Sequence, residues 1–146
     1  MKDIKLGIIG LGFVGNAVLE GYSKRGFKKI RTYDINKKGN CQSLAELANF
    51  TDYIFVCVPT PTESFKQDIS AIEEICLELD KHYFKPKVVI IKSTILPIQL
   101  LKLKKLIKNY WLATNPEFLS AKTALQDFTG ALRRCIKAHR KGMAGF

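Results

Sequence analysis

The amino-acid sequence predicts an α/β fold, a doubly wound parallel sheet in a single domain. Two observations carry this expectation. Short apolar runs alternate with amphipathic segments of helical period along the chain, the signature of β-α units whose parallel strands are covered on both faces. The first apolar run also ends on a glycine-rich turn that opens the first helical segment. Right-handed crossovers then wind such units to both sides of one sheet.

The elements follow in order. Lys5–Ile9 reads as a buried strand and 13–25 as a helix. Lys29–Asp34 alternates in character, as a strand does. Ser43–Asn49 is a short helix, with Ser43 as N-cap and Glu46 three residues on, the spacing of a capping box. Tyr53–Val58 is rich in β-branched and aromatic residues, which suit a third strand. Asp68 or Ser70 can cap a helix running to about His82, with Ile72, Ile75, Cys76 and Leu79 on one stripe and Glu73, Glu74 and Glu78 off it. Val88–Ile91 is apolar throughout, as a strand covered on both faces should be. Pro97 suits the first turn of a helix to about Lys108. Tyr110–Ala113 is a fifth strand, and 120–128 a last helical turn or two.

A chain of 146 residues with 47% hydrophobic content is long and apolar enough for one packed domain. No apolar run approaches the roughly 20 residues of a membrane span. Met1–Lys5 leads directly into the first strand, so no signal peptide is expected, and the chain reads as cytoplasmic. The four cysteines, Cys41, Cys57, Cys76 and Cys135, form neither a C-x-x-C pair nor a zinc pattern with His82 and His139. They read as reduced thiols, and no metal is expected. The net charge of +11 is uneven: residues 129–146 carry +5 and no acid. Polyanion binding is weighed on that ground, but with no recognition motif and little aromatic interleaving no specific nucleic-acid partner is expected. The basic helix with Leu100, Leu103 and Ile107 against Lys102, Lys104, Lys105 and Lys108 reads as packed on a sheet rather than on a membrane.

The motif with the most chemistry is Gly10-Leu11-Gly12-Phe13-Val14-Gly15, a G-x-G-x-x-G in the required setting between strand and helix. Gly10 allows the tight turn, Gly12 lets a pyrophosphate approach the backbone, and Gly15 lets the helix pack against the strand. Free N–H groups at the helix start face the phosphates. Asp34 ends the second strand, 19 residues after Gly15. A carboxylate there accepts hydrogen bonds from the adenosine ribose and repels a 2′-phosphate, so NAD is expected over NADP. Lys37 and Lys38 lie just beyond. Three polar loops follow later strands: Val58–Thr62, Lys92-Ser93-Thr94 and Asn115–Leu119. In an open α/β sheet these are ligand-facing positions.

Together, Gly10–Gly15, Tyr33-Asp34-Ile35-Asn36, Cys57-Val58-Pro59-Thr60-Pro61, Lys92-Ser93-Thr94 and Asn115-Pro116-Glu117-Phe118-Leu119 resemble the UDP-glucose/GDP-mannose dehydrogenase family, from residue 4 to about 128. The resemblance implies a Rossmann-like NAD-binding domain of an enzyme that oxidises the C6 alcohol of a sugar nucleotide to a carboxylate with two NAD molecules, serving polysaccharide biosynthesis. By position, Thr60, Pro61, Thr62 and Ser93 would line the cofactor beside the glycine loop and Asp34. Thr94 and Glu117 match residues near the reacting carbon, where they help position a water. Glu117, Phe118 and Leu119 would touch the sugar nucleotide.

The sequence departs from that family at three places. Ala121 stands where a second Glu follows the Asn115–Leu119 motif, and Gly39 where a basic residue follows the ribose Asp. Residues 1–128 read as the NAD-binding domain and 129–146 as a basic tail that resembles nothing in the family. The family's catalytic cysteine lies beyond, and Cys135 lacks its glycine-rich setting. The expectation is a truncated chain that oxidises no sugar nucleotide alone, binding one only with a complementing domain. The competing expectations are one piece of a split dehydrogenase or a non-catalytic NAD-binding module in a homo- or hetero-oligomer.

Overall fold

The computed structural model describes residues 3–36, 39–82 and 87–116. Five parallel strands form the main sheet: β1 (Leu6–Ile9), β2 (Ile30–Tyr33), β3 (Tyr53–Val56), β6 (Val88–Ile91) and β7 (Trp111–Thr114). Their order is β2-β1-β3-β6-β7. The pairing is in step throughout, Leu6 beside Ile30 and Tyr53, and Val88 beside Tyr53 and Trp111. The chain reverses direction across the sheet at β1, so the crevice beyond the ends of β1 and β3 is the ligand position in such a fold.

The period-2 alternation of the strands sorts their side chains between two cores. Leu6, Ile8, Phe55 and Ile90 pack with Val18 and Tyr22 of α1 (Phe13–Lys24) on one face. Ile9, Ile54, Val56, Val89 and Ile91 pack on the other, against α2 (Leu44–Phe50), α3 (Ser70–His82) and α4 (Pro97–Leu106). Tyr22 anchors the first core, its ring 5.1 Å from Phe27 and 5.3 Å from Phe55. These contacts explain why the central strands read as unbroken apolar runs: both faces are dry.

Local signals act as the sequence predicts, with small differences. Ser43 Oγ accepts from Glu46 N at 3.1 Å, while the Glu46 carboxylate reaches back one residue further, to Gln42 N at 2.8 Å. Ser70 begins α3, and the Asp68 carboxylate accepts its backbone N–H at 2.9 Å. That bond, followed by one from the Ser70 side chain, holds the Asp68 carboxyl below its usual range. The expected strand from Tyr53 stops at Val56 rather than Val58, where the Cys57 carbonyl and the Val58 side chain lie beside Gly10. The expected helix at 120–128, Lys37, Lys38 and the tail lie outside the described residues.

One feature is absent from the sequence reading. Between β3 and α3 the chain makes a two-stranded antiparallel hairpin, β4 (Thr62–Glu63) and β5 (Lys66–Gln67), with Ser64 and Phe65 at positive φ in its turn.

Cys41, Cys57 and Cys76 are all buried, and none of them is in a disulfide. Burial pushes Cys76 from the ordinary thiol value of 9.0 up to about 11, with a hydrogen bond from Tyr110 opposing. The folded state therefore holds the proton more tightly than the unfolded state. This contribution to stability is complete below pH 9, and it is lost as pH rises toward 11. A shift of this size corresponds to about 2–3 kcal/mol. Urea unfolding between pH 8 and 11 is expected to show a steeper loss of stability for the unaltered chain than for Cys76→Ala; equal slopes would refute the assignment.

Candidate functional site

A cleft of about 840 Å³ opens beyond the ends of β1, β2, β3 and β6. Its size is ordinary for a small-molecule or cofactor site. The glycine loop forms its floor: Gly10, Leu11, Gly12, Phe13 and Val14 all line it. Gly10 has φ +88°, and a Cβ there would sit 2.8 Å from the Cys57 carbonyl oxygen. Behind the loop, a Cβ on Gly15 would lie 1.8 Å from the Gly10 carbonyl oxygen. A Cβ on Gly12 would meet no atom within 4 Å. Gly12 thus borders open space at the N-terminus of α1, where N–H groups and the helix dipole favour an anion.

Asp34 lines the same cleft from the end of β2. Its Oδ2 accepts Leu11 N at 2.7 Å and its Oδ1 accepts Asn36 N at 2.8 Å. The carboxylate thereby fixes the glycine loop relative to β2, at the strand end where this kind of fold meets the ribose. No basic side chain belongs to the described cleft lining. At Gly39 a Cβ would come 2.5 Å from the Thr32 carbonyl oxygen, so the backbone itself excludes a side chain where a basic residue was expected. Asn40 reinforces that close approach: its Oδ1 accepts Thr32 N at 2.8 Å, and its own N–H donates to Thr32 Oγ1 at 3.1 Å.

The loops after β3 and β6 meet on the far side. Ser93 and Thr60 line the cleft. Ser93 Oγ donates to the Val58 carbonyl at 2.5 Å, and Thr60 Oγ1 donates to the Thr94 carbonyl at 3.1 Å. Thr94 is present through its carbonyl and stands outside the lining, as does Pro61. Thr62 belongs to the hairpin strand β4 and is exposed. Glu117, Phe118 and Leu119 lie outside the described residues.

Two groups of residues, one in the lining and one outside it but bonded to Thr60, were not singled out as site residues by the sequence. Ala71, Glu74, Ile75 and Glu78 bring one face of α3 to the cleft. Ile75 reads from the sequence as part of the apolar stripe with Ile72, Cys76 and Leu79, and Glu74 and Glu78 as lying off that stripe, so neither group pointed to a cleft. Glu78 is held below its usual carboxylate range by hydrogen bonds from Lys81, then His82. The second is Gln67, whose Nε2 donates to the Thr94 carbonyl at 2.7 Å and to Thr60 Oγ1 at 3.3 Å. No local signal marks it, since its role depends on the hairpin.

A parallel sheet with an open glycine loop at its switch point and a carboxylate at the end of the neighbouring strand defines a dinucleotide-binding domain. Comparison with known proteins narrows this class. The sequence model for the UDP-glucose/GDP-mannose dehydrogenase family, NAD binding domain, matches residues 39–141, and the chain belongs to that family. Its cofactor is NAD. The match begins after the glycine loop and Asp34, whose assignment rests on the geometry above, and it runs past residue 128, where the resemblance read from the sequence stopped.

A UDP-glucose 6-dehydrogenase of Rickettsia prowazekii is 33% identical over 119 residues, covering 77% of this chain and 26% of that protein. An uncharacterized protein of Methanocaldococcus jannaschii is 33% identical over 117 residues, covering 75% of this chain and 12% of the other. The chain thus spans only 26% and 12% of the length of these curated relatives. Among solved structures, a ternary complex of GDP-mannose dehydrogenase from Pseudomonas aeruginosa superposes with a TM-score of 0.69 at 23% identity, covering 86% of this chain and 38% of that one. A UDP-D-ManNAc dehydrogenase from Pyrococcus horikoshii gives 0.65 at 19% identity, covering 84% and 38%. Both share the fold.

Proposed function

We propose that this chain is the NAD-binding part of a UDP-sugar 6-dehydrogenase of the UDP-glucose type, and that these 146 residues on their own bind NAD without oxidising a sugar nucleotide. One observation carries the binding half: open space at Gly12 and the Asp34 carboxylate share one cleft, tied together by the bond from Leu11 N. That arrangement supports a reading in which the start of α1 meets the pyrophosphate and Asp34 meets the ribose with little reorganisation on binding.

The 33% identity to a UDP-glucose 6-dehydrogenase supports the UDP-sugar assignment over GDP-mannose. The absence of turnover by the chain alone follows from the chemistry. Oxidation of an alcohol through to an acid requires a nucleophile to hold the intermediate aldehyde. The three described cysteines are buried, with the Cys76 thiol raised to about 11. Sugar-nucleotide binding and turnover then belong to a complementing domain that carries an exposed thiolate.

Calorimetric melting with and without NAD tests the first half. At a NAD concentration 100 times Kd, a ligand that binds only the folded state adds about 2.7 kcal/mol. For a domain of this size that raises Tm by roughly 5–10 °C. An equal concentration of NADP is expected to raise it less. A transition indifferent to NAD would refute the proposal. Steady NADH formation from UDP-glucose by the purified chain would refute its second half while leaving the first intact.

A further inference from the structure

We propose that Gln67 is a positioning residue that presents Thr60 as a hydrogen-bond acceptor to the nicotinamide riboside half of the cofactor. The proposal rests on the NAD-binding function above. Asp34 places the adenosine end of the cleft at β2, and Gly12 places the pyrophosphate at the start of α1. The other half of a dinucleotide must then extend over the ends of β3 and β6, where Thr60 and Ser93 lie.

The hydrogen-bond directions at that end are fixed by chemistry. A carbonyl oxygen cannot donate, so the Thr60 proton points to the Thr94 carbonyl and the Ser93 proton to the Val58 carbonyl. Both hydroxyls have committed their protons to backbone, and what they offer a ligand is lone pairs. The pyrophosphate end offers N–H donors; this end offers acceptors. It therefore suits ligand groups that donate, such as ribose hydroxyls or a carboxamide NH2, and disfavours a further phosphate.

Gln67 locks this polarity at Thr60. The two protons of its Nε2 go to the Thr94 carbonyl at 2.7 Å and to Thr60 Oγ1 at 3.3 Å. The first adds a second donor to the Thr94 carbonyl, and the second blocks rotation of the Thr60 hydroxyl toward Gln67. The amide is delivered by the hairpin, in which Gln67 pairs with Thr62 and the Asp68 N–H closes onto the Pro61 carbonyl at 2.8 Å.

Titration calorimetry of the 146-residue chain with NAD and with ADP, which lacks the nicotinamide riboside, tests this. Gln67→Leu removes both donors, and Gln67→Glu keeps the shape but opposes an acceptor to two acceptors. Each is expected to weaken NAD about fivefold, the worth of one neutral hydrogen bond, with ADP unchanged. Thr60→Val should lower the NAD-to-ADP affinity ratio equally, Thr60→Ser should not, and Gln67→Leu should add little on top of Thr60→Val. Equal losses for NAD and ADP would make the hairpin a strut only and overturn the proposal, as would an unchanged ratio in Thr60→Val, the arm that stands if the Gln67 variants fail to fold. Binding of neither ligand by the unaltered chain would overturn the cofactor function itself, and with it this role.

Discussion

Gly15→Ala is expected to abolish NAD binding by unfolding its site, while Gly12→Ala weakens binding at least about tenfold and leaves the fold intact. The two glycines stand three residues apart in one motif, yet their surroundings are opposite. A Cβ on Gly15 would lie 1.8 Å from the Gly10 carbonyl oxygen and 2.9 Å from its carbon. Both are backbone atoms held by the Gly10 N–H bond to the Tyr33 carbonyl at 2.9 Å, so no side-chain rotation relieves the collision. Relief requires α1 to move away from β1, and this breaks the contacts of Val18 and Tyr22 with Ile8 and Phe55. A cost of at least about 3 kcal/mol is expected, in the range of severe core overpacking. At Gly12 a Cβ meets nothing, and its φ of −70° suits any residue. Stability should change by under about 1 kcal/mol. The new methyl would occupy the space that the pyrophosphate approaches, and NAD affinity should fall at least about tenfold. Melting and NAD titration of both variants check the pair. A Gly12→Ala chain that melts normally and binds NAD normally would place the phosphates elsewhere.

The fold was legible because its signals are local and repeated. Val88–Ile91 could only be a covered strand, Pro97 could only begin a helix, and the glycine loop fixed how β1 meets α1. The five-strand order is a different matter. It depends on which crossover skips β1, and no local pattern carries that information. The hairpin at 62–67 was not visible for a related reason. Its strands are two residues each, its turn places Ser64 and Phe65 rather than glycine at positive φ, and its hold on the sheet comes from Gln67 reaching the loop after β6. In the cleft lining, Asp34 and Gly12 were legible because their spacing and their setting at the ends of two strands are local signals. Ala71, Glu74, Ile75 and Glu78 were not, since a helix that packs one face on a sheet and turns the next to a cleft carries the same apolar stripe as one that faces water.

Asp34→Asn is expected to lower the preference for NAD over NADP by at least about tenfold, through changes in both ligands. The charge of Asp34 does two things at once. It accepts Leu11 N at 2.7 Å and Asn36 N at 2.8 Å, which fixes the loop, and it puts a negative charge in the cleft lining where the ribose is expected. An asparagine of nearly the same shape keeps one acceptor oxygen, which can still serve Leu11 N, so the loop should survive. The other oxygen becomes an NH2, which opposes Asn36 N and cannot accept from a ribose hydroxyl. Losing a charge-assisted bond costs about 1.5–3 kcal/mol, or roughly 10–100-fold in NAD affinity. For NADP the same change removes a carboxylate facing a phosphate, so its affinity should rise. The rise should be limited, because Glu74 and Glu78 still line the cleft and the Gly39 contact with Thr32 leaves no room for a new cation there. Titration of both cofactors at two salt concentrations separates the effects. The NADP gain should shrink as salt rises, since it is a through-space repulsion that ions screen, while the NAD loss should persist because it is a missing hydrogen bond. If NAD and NADP change together, Asp34 acts only by holding Leu11, and discrimination between the cofactors lies with other residues of the cleft.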